Sequence, residues 1–135
     1  MGKKKNLVVV SNSLIESRYK LPVMVQKVLI GCAMKVRSTD NFGETLYTLS
    51  VDDYSELFGI SSNATYENLR DAIDVLWNSS FYTVSADGVP VENRWIISRK
   101  KDKRKNYIGV KFHSDIKDFI FQLTQQFTMF NVENV

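Results

Sequence analysis

Seven residues, Arg99-Lys100-Lys101-Asp102-Lys103-Arg104-Lys105, place six cations and one anion between two runs with the composition of β-strands. Those runs are Trp95-Ile96-Ile97 and Tyr107-Ile108-Gly109-Val110-Lys111-Phe112. No core accepts so many unpaired charges, so the segment is predicted to form the tip of an exposed hairpin. Six cations less one anion give a net +5 on a narrow projection, which suits contact with a polyphosphate. The competing use of such a loop is a solvated turn kept charged against aggregation.

A chain of 135 residues makes one domain large enough to bury its own core. Its net charge of +3 conceals a segregation. Lys3, Lys4 and Lys5 supply +3 and the 99–105 segment +5, which leaves −5 for everything else. The single cysteine, Cys32, excludes an intramolecular disulfide and any cysteine-based zinc site. It falls in an apolar helical run, where it serves as a small buried hydrophobe. With His113 as the only histidine, no metal, cofactor or catalytic pair is expected.

Residues 1–10 open with a basic stretch but add only four apolar residues after it, too few for a signal peptide. The longest apolar stretch, 23–36, contains Lys27 and Lys35 and falls short of the ~20 residues that a bilayer requires. A cytoplasmic protein with no membrane contact is expected.

Along the chain, residues 6–19 suggest a short strand or extended arm and then a brief helix opening near Ser11-Asn12-Ser13. Leu21-Pro22 begins a longer helix with Val25, Val28, Leu29, Cys32 and Val36 on one face, central to the core. Its uncharged run from Val28 to Met34 is a hazard for β-aggregation if exposed. Tyr47, Leu49 and Val51 alternate as in a half-buried strand. Ser50-Val51-Asp52-Asp53 resembles a capping box, opening a helix of about two turns that Gly59 ends. After a turn at 61–64, Thr65 is expected to cap a helix burying Leu69, Ala72, Ile73, Leu76 and Trp77. Strands follow at 81–84, 94–99 and 107–112, with a turn at Asp87-Gly88. Ser114 is then expected to cap a final helix with Ile116, Phe119, Ile120, Leu123 and Phe127 in one stripe. Phe81, Tyr82, Trp95, Phe112, Phe119 and Phe127 are all expected in the core. Helix, turn, helix and then hairpin make an α+β winged helix, flanked by N- and C-terminal helices, with the basic loop as its wing.

Several stretches carry a resemblance to a known family. They are 9–16 (Val9-Val10-Ser11-Asn12-Ser13-Leu14-Ile15-Glu16), 50–60 around Tyr54-Ser55-Glu56-Leu57-Phe58-Gly59, and 66–72. Trp95-Ile96-Ile97-Ser98-Arg99, Val110-Lys111-Phe112-His113 and Gln126-Phe127-Thr128 complete the set. In order and spacing they resemble the amino-terminal winged helix of iteron-binding plasmid replication initiators, over about residues 7–130. Lys3, Lys4 and Lys5 make 1–5 a basic flexible tail, and the resemblance implies a winged-helix domain at 6–130 and at 131–135 the start of a linker to a second winged helix. It also implies double-stranded origin DNA as partner, a homodimer, and host replication proteins as further partners. Dimers would repress and monomers initiate, a form of copy-number control, and no enzyme activity is implied.

The expected DNA contacts are Arg99, Lys100, Lys101, Lys103, Arg104 and Lys105 on the wing, with Arg70 on the second helix. Wing cations bind phosphate and position the protein without reading bases. Helix insertion in a major groove is disfavoured, because residues 52–78 hold six carboxylates against Arg70 alone. Arg70 can reach a base edge or phosphate, and can equally pair with Glu67, Asp71 or Asp74 on its own helix. Asn63, Tyr66 and Asn68 are further candidates near the helix start. For self-association, strands 91–98 and 81–84 offer two candidate edges. The alternative function is a winged-helix protein-interaction module with no direct DNA contact.

Overall fold

Residues 23–33 are apolar on almost every side, and the helix that they form occupies the centre of the fold. The computed structural model describes residues 15–59 and 63–133. Residues 15–19 are helical (α1), and α2 (Val23–Ala33) follows with Val25, Val28, Leu29, Ile30, Gly31, Cys32 and Ala33 all buried. Each fully buried Val or Leu there contributes about 1.5–3 kcal/mol relative to exposure. Val36 lies beyond the end of α2 and is only half-buried. The expected arm before residue 15, the tail at 1–5, and Ser61-Ser62 lie outside the described residues.

β1 (Tyr47–Ser50) buries Tyr47 and Leu49, as its alternation requires, while Val51 already belongs to α3 (Val51–Phe58). Ser50 caps α3: its hydroxyl accepts from the Asp53 N–H at 2.9 Å. Gly59 closes the helix at φ 67°, where a side chain would be strained. α4 (Thr65–Trp77) has Ala64 at its N-cap and no side-chain cap. Thr65 is instead the first helical residue and is buried, so the expected cap there is corrected.

The β region differs most from expectation. The strand expected at 94–99 is broken at Trp95. Before the break, β2 (Ser80–Val84) and β3 (Pro90–Arg94) form a separate two-stranded antiparallel sheet. After it, β4 (Ile96–Asp102) joins β5 (Tyr107–Phe112), and the larger sheet has the order β1-β5-β4. Trp95 belongs to both. Its N–H donates to the Ser79 carbonyl at 3.3 Å and its own carbonyl accepts from the His113 N–H at 3.1 Å. The indole is buried between Phe81 (ring centroids 5.3 Å apart) and Phe119 (5.9 Å). Tyr82, on the outer face of the small sheet, is exposed rather than core.

α5 (Lys117–Glu133) follows a 3-10 turn at Ser114–Ile116. The cap there is His113, whose Nδ1 accepts from the Asp115 N–H at 3.1 Å, and not Ser114. Ile116, Phe119, Ile120 and Leu123 are buried, and Phe127 packs on Phe58. Helices α3 and α4 with the β4–β5 hairpin constitute a winged helix, to which the β2–β3 hairpin is an addition.

Candidate nucleic-acid interface

The basic segment is more strand than loop. Arg99, Lys100, Lys101 and Asp102 belong to β4 and pair with β5 in the order Val110, Gly109, Ile108 and Tyr107. Only residues 103–106 form the turn. The expectation of a seven-residue tip is corrected on this point: Ile108 and Val110 are buried, and their ladder extends under the charged residues opposite.

Because strand side chains alternate, the six cations separate into three settings. Arg99 and Lys101 share a face with Val110 and Ile108, and that face turns toward α4. There Arg99 Nη1 donates to Asp74 Oδ1 at 2.8 Å, and Lys101 Nζ lies 2.7 Å from Oδ1 and 3.0 Å from Oδ2. The Arg99 guanidinium also sits 4.8 Å from the centroid of the half-buried Trp77 ring. Lys100 points to the opposite face, with its Nζ 5.5 Å from the Tyr107 ring centroid. A hydrogen bond with the Tyr107 hydroxyl raises its pKa, so its charge is secure.

Lys103, Arg104 and Lys105 occupy the third setting, the turn itself. All are exposed, and among the described residues none of the three has an ion-pair partner. The turn is nevertheless shaped. Asp102 Oδ1 accepts from the Lys105 N–H at 3.0 Å, and Asn106 closes it in the left-handed region at φ 54°. The Asn106 carbonyl then accepts from the Val51 N–H at 2.9 Å, fastening the wing to the start of α3.

Arg70 stands apart from the wing, with Nε and Nη2 on Asp71 Oδ1 at 3.2 and 3.1 Å. On the same helix Glu67, Asp71 and Asp74 fall at offsets of four and seven, an acidic line. Tyr66 is buried and unavailable to a groove, while Asn63 and Asn68 are exposed.

Asp74 and Trp77, the partners of Arg99, lie outside the expected set of contacts. Asp74 is separated from its cations by 25 and 27 residues, and no local spacing announces such a pairing. The Lys-Asn-Tyr sequence at 105–107 did contain a signal for Asn106, because asparagine tolerates the left-handed turn position. No helix among the described residues is long and apolar enough to cross a membrane.

Residues 7–135 match the family model described as Initiator Replication protein, WH1. The chain is also 24% identical over 143 residues to a protein of Escherichia coli described as an uncharacterized 27.6 kDa protein, with 97% of this chain covered. It spans 60% of the length of that curated relative. Among solved structures it resembles the MSBI1.176 WH1 domain, a replication protein isolated from a multiple sclerosis patient. The TM-score is 0.78 at 20% identity, over 93% of this chain and 98% of that one. Pi initiator protein in complex with iteron DNA is a further neighbour, with a TM-score of 0.63 and 17% identity over 78% of this chain and 46% of that one. At such identities the structural likeness establishes the fold.

Proposed function

Because the chain belongs to the initiator replication protein WH1 family, we propose that it contacts the DNA of a plasmid origin through its wing and self-associates through its smaller sheet. One observation carries the DNA reading: Lys103, Arg104 and Lys105 stand exposed, with no ion-pair partner among the described residues, on a turn whose backbone is held in shape. A cation already ordered by its own backbone loses less freedom on meeting a phosphate. The complex of Pi initiator with iteron DNA supports duplex DNA, and iterons in particular, as the partner class. The acidic line of α4 favours contact by the wing over insertion of that helix.

Self-association is proposed at β3. The edge of β2 is covered at Tyr82, whose N–H donates to Ser17 Oγ of α1 at 3.3 Å. Among the described residues β3 pairs with β2 alone and its other edge has no partner, and Tyr82, Val84, Val89 and Val91 expose apolar surface on the same hairpin. In this reading dimers repress, monomers initiate, and host replication proteins join the whole initiator.

Anisotropy titrations of iteron and unrelated duplexes across a salt series test the DNA contact. With four wing cations engaged, the slope of log K against log salt is about −3.6. A slope near zero with both duplexes removes the DNA reading and favours a protein-interaction module. Sedimentation of the wild type against Val91→Lys tests the β3 edge, with loss of the dimer expected.

A further inference from the structure

We infer that Asp74 withholds Arg99 and Lys101 from DNA, so that the wing grips phosphate with Lys100 and its tip alone and non-specific affinity is kept low. This inference rests on the wing being the DNA contact. Its ground is the alternation of β4: residues 99 and 101 face α4, whereas Lys100 and the turn do not. Asp74 accepts from both strand cations at 2.7 to 3.0 Å. Arg99 is held from a second side by Trp77.

A single exposed ion pair contributes little. Here, however, one carboxylate serves two cations and an aromatic ring backs one of them, which raises the cost of separation. A phosphate approaching Arg99 or Lys101 also meets Asp74, with Asp71 and Glu67 aligned behind it on the same helix. Repulsion from that line offsets much of the attraction of the two cations. Lys103, Arg104 and Lys105 have no ion-pair partner among the described residues, and the one carboxylate at the turn, Asp102, accepts from the Lys105 N–H. Asp74 therefore limits the sequence-independent part of binding, which is the part that competes with recognition of a site.

The test is a salt series with an unrelated duplex, using four forms of the chain. Wild type is expected to show a slope of about −3.6, losing about 12-fold in affinity when salt doubles. Asp74→Asn frees two cations and is expected to steepen the slope to about −5.4, or about 40-fold per doubling. The paired variant Arg99→Gln with Lys101→Gln is expected to keep the wild-type slope. A folded Asp74→Asn with the wild-type slope overturns the inference. So does a paired variant whose slope becomes shallower by about 1.8, and this second arm decides the matter even if Asp74→Asn does not fold. The fourth form replaces Lys103, Arg104 and Lys105 with alanine, and its slope is expected to fall to about −0.9. Unchanged binding by that form removes the wing reading itself, a failure distinct from that of Asp74.

Discussion

Gly31 of α2 approaches Leu49 of β1 so closely that a Cβ on Gly31 would lie 2.7 Å from one Leu49 methyl and 3.0 Å from the other. Leu49 is fully buried, so neither methyl can swing into open space. For Gly31→Ala, overpacking costs about 1–3 kcal/mol and helix propensity returns about 1. A net loss of about 1 kcal/mol is expected. Urea denaturation checks it. Leu49→Val is expected to cost less in the Gly31→Ala background than in wild type, because it relieves the same clash.

Asn106 makes the wing turn sensitive to one backbone angle. Asn106→Val forces a β-branched residue into the left-handed region and is expected to cost about 1–2 kcal/mol, whereas Asn106→Gly is tolerated. Thermal denaturation of the two variants separates them, and equal midpoints would show that the angle relaxes freely.

Asp53 gives the start of α3 a dependence on acidity. Its pKa is lowered, first by a hydrogen bond from Lys35 (2.8 Å) and further by Ser50, against an opposing effect of partial burial. A depressed carboxyl adds stability that is present above its unfolded pKa and disappears as pH falls through the folded one. Wild type is therefore expected to exceed Asp53→Asn in stability at neutral pH, with the two curves merging below the ordinary carboxylate range. Ser50→Ala removes the cap and is expected to cost about 1 kcal/mol. Denaturation midpoints between pH 2 and 7 provide the comparison.

Cys32 has no exposed surface, and burial pushes its thiol pKa up to about 12. Neither access nor thiolate is available in the native state. Modification by a disulfide reagent is expected to be slower by at least about 10³-fold than in denaturant, since it waits on opening of the core. Rapid labelling under native conditions would contradict the packing of α2.

Local chemistry is what the sequence made legible. Hydrophobic spacing located α2, the buried faces of α4 and α5, and the half-buried β1. The Ser50 cap and the Gly59 stop need only neighbours within one turn. Failures occurred where a distant partner decides. Thr65 and Ser114 have the composition of caps, yet Thr65 is drawn into the core and His113 takes the capping position instead. Residues 91–98 contain no glycine or proline to mark the break at Trp95, which is set by the burial of one indole between Phe81 and Phe119. In the candidate interface the cations were evident from composition. Their division among Asp74, Tyr107 and solvent follows from the register of β4 against α4, a tertiary relationship.

The bend at Trp95 has a consequence for how this domain tolerates change. Since one anchored indole isolates the two hairpins, a residue inserted at Asp87-Gly88 lengthens the first without shifting a single rung of the second. The self-association proposed for one hairpin and the DNA contact proposed for the other thus sit on separate ribbons, and a change of length in the first leaves the pairing of the second intact, with the tryptophan as the clasp between them.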